Sequence, residues 1–138
     1  MAEVKIGSAG KTPGSRVSRD AIGTVTARDF SKVVLEAKGP VVVEFMSYGC
    51  VHCRAIEPAL QQVAEIMNHE IDICRVNVPV EQGLAEEYGI SGTPTFIMFL
   101  HGSVVDRVEG PPPTLASVLQ MVTKPFGIDG RALSKNAG

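Results

Sequence analysis

The chain of 138 residues has no tryptophan, only three cysteines, and no marked excess of charge of either sign. Its net charge is −2 and its 13 basic residues are scattered, which excludes a basic surface for nucleic acid or an anionic membrane. The longest apolar runs, Val41–Met46 and Thr95–Leu100, have the length of strands and are too short to cross a bilayer. Three cysteines are also too few for a structural disulfide framework.

Residues 1–20 lack the apolar segment of a secretory signal, which predicts a cytoplasmic protein. A native leader removed ahead of Met1 would instead be compatible with the periplasm. What the chain does contain is ordinary for one globular domain with a sizeable core, since 44% of its residues are hydrophobic and 20% are charged.

The apolar pattern predicts an α/β domain at residues 21–123, between a flexible N-terminal arm at 1–20 and a C-terminal tail at 124–138. Strands are predicted at Ile22–Val25, Val41–Met46, Ile71–Asn77, Thr95–Leu100 and Ser103–Glu109. Helices are predicted with Phe30, Val33, Val34 and Ala37 on one face after a Thr26–Asp29 cap, from Cys50 to Asn68, at Glu81–Tyr88, and with Leu115, Val118, Leu119 and Val122 on one face. This order of elements indicates a central mixed sheet flanked by helices on both faces.

Glu44 interrupts a strand whose other residues are apolar on both faces, which is typical of a central strand covered on both sides. By alternation it shares a face with Val42 and Met46, under a layer of helices. Burial there would raise the pKa of the carboxyl and let it exchange a proton with a nearby thiol. The alternative is a half-covered face with Glu44 in solvent.

Cys50 and Cys53 are the chemically most informative residues, because they are separated by two residues at the point where a helix begins. A helix N-terminus stabilises negative charge, so the pKa of Cys50 should be lowered and its thiolate favoured. Cys53 lies one turn further along and should be the more buried thiol. In this division, Cys50 attacks a disulfide and Cys53 resolves the mixed intermediate.

His52, between the two cysteines, can supply a hydrogen bond or partial positive charge to the Cys50 thiolate, which would make the disulfide a stronger oxidant. The alternative is an exposed histidine without effect. Zinc binding by the two cysteines is a further alternative. It lacks a second pair of ligands, because His69, Cys74 and His101 do not stand at ligand spacing.

Two other positions complete the prediction. Thr93-Pro94 directly before a strand is compatible with a cis peptide bond, although a trans proline at a strand start is the more frequent arrangement. Cys74 in the strand Ile71–Asn77 is interpreted as a small core residue rather than a regulatory thiol.

The chain resembles the thioredoxin family from about Ile22 to Thr123. The order and spacing of several motifs carry this resemblance, not the Cys-x-x-Cys pair alone. They are Val42–Pro58 with Glu44, Phe45, Cys50-Val51-His52-Cys53 and Pro58, then Val76-Asn77, Tyr88-Gly89-Ile90, Gly92-Thr93-Pro94-Thr95, Gly102 and Gly110.

The resemblance implies the thioredoxin fold and thiol–disulfide exchange with protein disulfides, in cell redox homeostasis. It implies Cys50 as nucleophile, Cys53 as resolving thiol, Glu44 as proton carrier in place of the usual Asp, and Pro94 as a cis-proline. It places substrate binding at Gly49, Val51, Thr93 and Pro94. No metal and no cofactor beyond the Cys50–Cys53 disulfide is implied, and a monomer is expected.

The departures from the family pattern leave the direction of the reaction open. Val51-His52 replaces the usual Gly-Pro, and Met46 and Gly49 stand where thioredoxins usually carry tryptophan, so Gly49 should leave the Cys50 sulfur more open. A histidine before the second cysteine is similar to disulfide oxidases and isomerases. A reductase fed by an electron donor such as thioredoxin reductase is the main hypothesis. An oxidase or isomerase, a zinc-binding module and a redox-silent interaction module are the alternatives.

Overall fold

The computed structural model describes residues 21–128, which contain a five-stranded mixed sheet with helices on both faces, as predicted. The strands lie in the order β1-β3-β2-β4-β5. β3 pairs in parallel with both β1 and β2, whereas β2 with β4 and β4 with β5 are antiparallel. The elements are β1 Gly23–Thr24, a π-helix Ser31–Leu35, β2 Val41–Met46, α1 Val51–Ile66, β3 Asp72–Asn77, α2 Gln82–Glu87, β4 Thr95–Leu100, β5 Ser103–Glu109, α3 Leu115–Thr123 and a 3-10 helix Lys124–Phe126.

β2 is the central strand and every one of its residues is buried, which follows from its apolar composition on both faces. On one face of the sheet, α1 and α3 pack over Val42, Ile73, Phe96 and Met98. On the other face, the π-helix and α2 cover a second cluster that includes Val43, Phe45, Ile97 and Phe99. The sheet therefore separates two cores, and the end of β2 feeds directly into the loop that starts α1.

The first predicted helix is wrong in length and at one residue of its buried face, since Phe30, Val34 and Ala37 pack on the second core cluster and Val33 does not. The structure has one π-helical turn, closed by an i to i+5 hydrogen bond from Glu36 N–H to Ser31 carbonyl (2.9 Å). A single helical turn presents only one side to the sheet. Phe30 and Val34 lie on that side and are buried, whereas Val33 is 42% exposed. The Asp29 carboxylate accepts from the Thr26 N–H at 2.8 Å, but this closes a turn that precedes the helix instead of capping it.

The buried face of α3 is also corrected. Leu115 is 42% exposed because it is the first residue of the helix, beyond the edge of the core, and Met121 joins Val118 and Val122 in the buried set. The predicted arm at 1–20 and residues 129–138 of the predicted tail lie outside the described residues. The start of that tail continues the fold, since Phe126 and Ile128 pack against the first core cluster.

Candidate functional site

Cys50 is the N-cap of α1, as its position before the first helical turn predicts. Its backbone is extended (φ −85°, ψ 119°), which turns the side chain back over the first turn. The Cys50 sulfur accepts a hydrogen bond from the Cys53 N–H at 3.1 Å. The preceding loop is held by the Ser47 carbonyl, which accepts from the Cys50 N–H at 3.1 Å. The sulfur therefore occupies the place where a helix stabilises negative charge.

Cys53 lies on the same turn and is the buried member of the pair, with 2% of its surface exposed, whereas Cys50 is half-buried. Both thiols are free in this structure. This confirms the expected asymmetry in exposure. An outside sulfur can therefore reach Cys50 more readily than Cys53.

The two thiols have opposite pKa shifts. Burial raises the pKa of Cys50, but the thiol of Cys53, the Thr93 side chain and the N–H groups of Cys53 and His52 outweigh it, so the pKa falls below the usual 9.0. For Cys53, burial and the hydrogen bond with Cys50 raise the pKa to about 11. At neutral pH, Cys50 is the thiol that ionises first and Cys53 is the one that keeps its proton.

The Thr93–Pro94 loop lies directly beside Cys50. The Cys50 thiol donates to the Thr93 carbonyl oxygen at 3.4 Å, and the Thr93–Pro94 peptide bond is cis. The Thr95 hydroxyl donates to the Gly92 carbonyl at 2.7 Å, and the Pro94 carbonyl accepts from the Gly110 N–H at 2.9 Å, so the loop is anchored on both sides. A fixed backbone carbonyl at the nucleophile is well placed to meet an extended substrate chain.

His52 does not make the expected imidazole contact with the Cys50 sulfur. Its Nε2 lies 3.3 Å from the carbonyl oxygen of Pro111, and its ring lies next to Gly110. The group of His52 that acts on the Cys50 sulfur is the backbone N–H, which any residue except proline would supply at this position. The reason is the N-cap geometry, because the first helical turn directs backbone N–H groups, not side chains, at the cap sulfur.

The surface around Cys50 is open and partly apolar. Gly49 and Val51, which the resemblance predicts as substrate-binding positions, are both exposed, Val51 to 73%. Tyr48, which the sequence analysis did not select, is 56% exposed at the same rim. An aromatic residue in the strand-to-helix loop next to the cysteines is the signal that would have pointed to it.

Glu44 is fully buried, as predicted from its place in β2. Its strand-register partner on β3 is Arg75, whose Nε lies 3.8 Å from the Glu44 Oε1. The Arg75 Nη2 donates to the Glu57 Oε2 at 2.7 Å, and Glu57 lies one turn after Cys53 on α1. Arg75 and Glu57 were not predicted as site residues, although an arginine within the apolar strand Ile71–Asn77 indicates a buried charge that needs a partner.

A cavity of about 180 Å³ lies between Arg75, Glu57 and the loop before α1. Cys53 also borders it, so this buried thiol and the cation beside Glu44 share one space. Its walls are formed by Met46, Ser47, Tyr48, Cys53, Arg54, Glu57 and Arg75. The arrangement brings a thiol with a lowered pKa, a thiol with a raised pKa and a buried acid with its cation to one end of β2 and α1.

Residues 21–128 contain no group of three or more His, Cys, Asp or Glu side chains placed to hold a metal ion. His69 and His101 are exposed, and Cys74 lies in the second core cluster. The zinc alternative has no geometric support from this part of the chain. Within the same range, no helix has the length and apolar character that crossing a membrane requires.

Comparison with known proteins places the site in a wider context. The family model for thioredoxin matches residues 21–124. The chain is 35% identical to thioredoxin 1 of Synechococcus elongatus over 97 residues, which is 69% of this chain and 91% of that protein. It is 35% identical to thioredoxin of Pyropia yezoensis over 101 residues, 72% of this chain and 94% of that protein. It is also 34% identical to protein disulfide-isomerase 2-3 of Arabidopsis thaliana over 93 residues, 67% of this chain and 21% of that protein.

Proposed function

Because the chain belongs to the thioredoxin family of protein-disulfide oxidoreductases, we propose that Cys50 and Cys53 are the redox-active pair through which it exchanges electrons with protein disulfides. One observation carries this proposal: the N-cap sulfur of Cys50 has a lowered pKa and lies against the N–H of buried Cys53, whose pKa is raised. A reactive thiolate beside a protected thiol is what two-step exchange requires.

In the first step, the Cys50 thiolate attacks one sulfur of a substrate disulfide. A bond forms between this sulfur and Cys50, the substrate S–S bond breaks, and the leaving thiolate takes up a proton. In the second step, Cys53 loses its proton and attacks the Cys50 sulfur. The Cys50–Cys53 disulfide forms and the second substrate thiol leaves, so that two electrons and two protons have passed to the substrate.

Glu44 is proposed as the proton carrier for the second step, because the high pKa of Cys53 requires a base at the moment of attack. Its complete burial and the shared cavity of Cys53 and Arg75 support this role. The substrate chain is proposed to lie along the Thr93 backbone beside Pro94, over Gly49 and Val51. The exposure of Gly49 and Val51 and the 3.4 Å contact between the Cys50 thiol and the Thr93 carbonyl support this path.

The proposed direction is reduction of protein disulfides by a monomer, with electrons supplied by a donor of the thioredoxin-reductase class. This direction fits a reducing compartment such as the cytoplasm. It is also favoured by the position of the His52 imidazole on the Pro111 carbonyl, because a histidine directed at the Cys50 thiolate was the reason to expect a stronger oxidant.

A Cys53→Ser variant tests the exchange mechanism. Without the resolving thiol, the first step should stop at a mixed disulfide, and adducts of substrate proteins on Cys50 should accumulate and be released by dithiothreitol. Cys50→Ser, which removes the nucleophile, is the matched control and should form no adducts. If Cys53→Ser with reduced and accessible Cys50 forms none either, the exchange mechanism is wrong and a redox-silent binding module takes its place.

The reduction potential tests the direction. The second candidate, an oxidase or isomerase, is favoured by the similarity to a protein disulfide-isomerase. Equilibration with glutathione buffers should give a potential near or below about −270 mV for a reductase. A potential above about −200 mV would support the oxidase or isomerase instead. Metal analysis of the purified protein in the same experiment tests the zinc alternative, which requires stoichiometric zinc.

A further inference from the structure

Arg75 is a buried cation placed between two carboxylates on different elements. Its side chain is 5% exposed, its Nη2 lies 2.7 Å from the Glu57 Oε2 on α1, and its Nε lies 3.8 Å from the Glu44 Oε1 on β2. The Glu57 oxygen also accepts from the Gln61 Nε2 at 2.8 Å. Glu57 therefore holds the short, charge-assisted contact, and Glu44 has the longer one.

The charges on this cluster cannot all be neutralised when both carboxylates are ionised, because one guanidinium meets two negative groups. The Glu57 side chain is 32% exposed, whereas Glu44 is fully buried. In a buried setting, an ion pair is only weakly screened, and its strength depends steeply on distance. The distance of the Arg75 guanidinium from each of the two carboxylates thus controls how strongly Glu44 holds a proton.

We propose that Glu57 is a positioning residue for the resolving step: by binding Arg75, it keeps that cation from fixing Glu44 permanently in the ionised form. Glu44 then remains able to accept the proton of Cys53 as the Cys50–Cys53 bond forms and to return it to the leaving thiolate or to water. This inference rests on the proposed function. It adds to it the residue Glu57 and a charge relay, by which we mean the chain of contacts from Glu57 through Arg75 to Glu44.

Several titratable and charged side chains lie around the cavity that Arg75 borders. α1 supplies Cys53, Arg54 and Glu57, β3 supplies Arg75, and the β2–α1 loop supplies Tyr48, whose side chain bonds Arg75. On β4, the register partner of Glu44 is Phe96, which is apolar. The helix α3, which packs on α1, carries no titratable residue. Arg54 is exposed and its Nη1 donates to the Tyr48 carbonyl at 3.5 Å. Arg75 lies 2.7 Å from Glu57 and 3.8 Å from Glu44, so it is the cation through which Glu57 can act on Glu44.

Two substitutions should shift the pH at which Glu44 loses its proton in opposite directions. In Glu57→Gln, a negative charge is lost and Arg75 is free to approach Glu44, so Glu44 gives up its proton at lower pH and becomes a weaker base. In Arg75→Met, the cation is lost and Glu44 keeps its proton to higher pH. A charge partner at this range shifts a carboxyl by about one pH unit or more.

The resolving step can be followed directly in the reduced protein. The attack of Cys50 on an aromatic disulfide breaks its S–S bond, releases one coloured thiolate and leaves the other aryl group on Cys50 as a mixed disulfide. The attack of Cys53 on the Cys50 sulfur then releases this second coloured thiolate. The rate of this release, measured by stopped flow against pH, should have its midpoint about one unit lower in Glu57→Gln and about one unit higher in Arg75→Met. Glu65 is an exposed glutamate on the same helix, so Glu65→Gln removes the same charge away from Arg75 and should leave the midpoint unchanged.

A double-mutant cycle with Glu44→Gln separates this relay from a direct effect of Glu57 on Cys53. In the Glu44→Gln background, Glu57→Gln should no longer shift the midpoint. Infrared titration of the protonated carboxyl of Glu44 gives a second readout that does not depend on turnover, and this band should disappear at lower pH in Glu57→Gln.

The outcomes are distinguishable from failure of the proposed function. A wild-type protein that never releases the second thiolate would refute exchange itself. Three results would overturn the role of Glu57 while leaving the exchange reaction intact. The wild type and Glu57→Gln could have equal midpoints, or Glu57→Gln and Arg75→Met could shift the midpoint in the same direction. The third is a shift by Glu57→Gln that persists in the Glu44→Gln background.

Discussion

At the scale of single residues, the site shows how position gives two identical side chains different chemistry. Cys50 and Cys53 are both thiols on one helical turn. Hydrogen bonds with the Cys53 thiol, Thr93 and the N–H groups of Cys53 and His52 outweigh burial and lower the pKa of Cys50, whereas burial and the hydrogen bond with Cys50 raise the pKa of Cys53 to about 11. The difference comes from the place of Cys50 at the N-cap of α1 beside Thr93 and from the burial of Cys53. A half-buried thiol with a lowered pKa and a protected thiol therefore lie side by side.

The order of ionisation predicts how the thiols react with an alkylating agent. Since the pKa of Cys50 lies below 9.0 and that of Cys53 is about 11, iodoacetamide at neutral pH should modify Cys50 first and Cys53 at least tenfold more slowly. The rate at Cys50 should rise with pH, with a midpoint below pH 9. Mass spectrometry of proteolytic fragments, sampled over time at several pH values, measures both rates.

The same labelling in denaturant is the control, because the helix is then absent and all three thiols should react alike. Equal rates at Cys50 and Cys53 in the folded protein would contradict the cap-based explanation.

At the scale of elements, the β4–β5 hairpin shows where a glycine is required. The turn His101-Gly102 has positive φ at both residues, 52° and 82°, which suits the twist of the two strands. A Cβ on Gly102 would lie 2.8 Å from the carbonyl oxygen of Leu35, at the end of the π-helix. The hairpin turn and the π-helix therefore pack backbone against backbone, and only glycine fits between them.

Gly102→Ala should destabilise the protein by about 2–3 kcal/mol, from left-handed strain together with the clash against the Leu35 backbone. Urea denaturation monitored by circular dichroism measures the free energy of unfolding. Disulfide exchange by the folded fraction should be unchanged, because the turn lies at the other end of the sheet from Cys50.

Two other glycines provide matched controls for this prediction. Gly89→Ala, with φ of 64° but no atom within 4 Å of the added Cβ, should cost only about 1 kcal/mol. Gly83→Ala, in α2 with open space around it, should stabilise by up to about 1 kcal/mol. Equal losses in Gly102→Ala and Gly89→Ala would show that the close contact with Leu35 has no energetic effect.

At the scale of the whole molecule, the sheet keeps its third cysteine apart from the redox pair. Cys74 lies in the second core cluster with Val43, Phe45 and Val76, on the face covered by the π-helix and α2. Cys50 and Cys53 belong to α1, which covers the opposite face. Burial, with the charges of Asp72 and Asp29, raises the pKa of Cys74 to about 12, so it is an inert core residue at neutral pH.

This burial links global stability to alkaline pH. The pKa of Cys74 is about 12 in the folded protein and returns toward 9.0 on unfolding, so between these values the unfolded chain releases a proton that the folded chain keeps. Stability should therefore fall as pH rises through this window, by at most about 1.4 kcal/mol per pH unit for this one group. Urea denaturation of the reduced protein at several pH values above 9 measures the slope.

Cys74→Ala should show a shallower slope, because Cys53, whose pKa is also raised, contributes equally in both proteins. The substitution also removes some packing at every pH, so only the difference in slope is informative. Identical slopes would mean that Cys74 ionises in the folded protein as readily as in the unfolded one.

Much of the fold could be predicted because its signals are local. The apolar run of β2, the hairpin around His101-Gly102 and the start of α1 at Cys50 are each encoded within a few neighbouring residues. The same is true of the Cys50–Cys53 pair, since three residues along a helix place both thiols on one turn. The errors fell where a helix was too short for its periodicity to be reliable, at Val33 and Leu115.

The sequence alone determined that there is a thiol pair at a helix start and an acid in a central strand, because spacing and burial pattern depend on neighbouring residues. The partners of these groups were decided only by the tertiary structure: Arg75 for Glu44, Glu57 for Arg75, and the Pro111 carbonyl for His52. These contacts join residues on different elements. They depend on strand register and on how α1 and the loop after β5 pack at the site, which no single segment of the chain specifies.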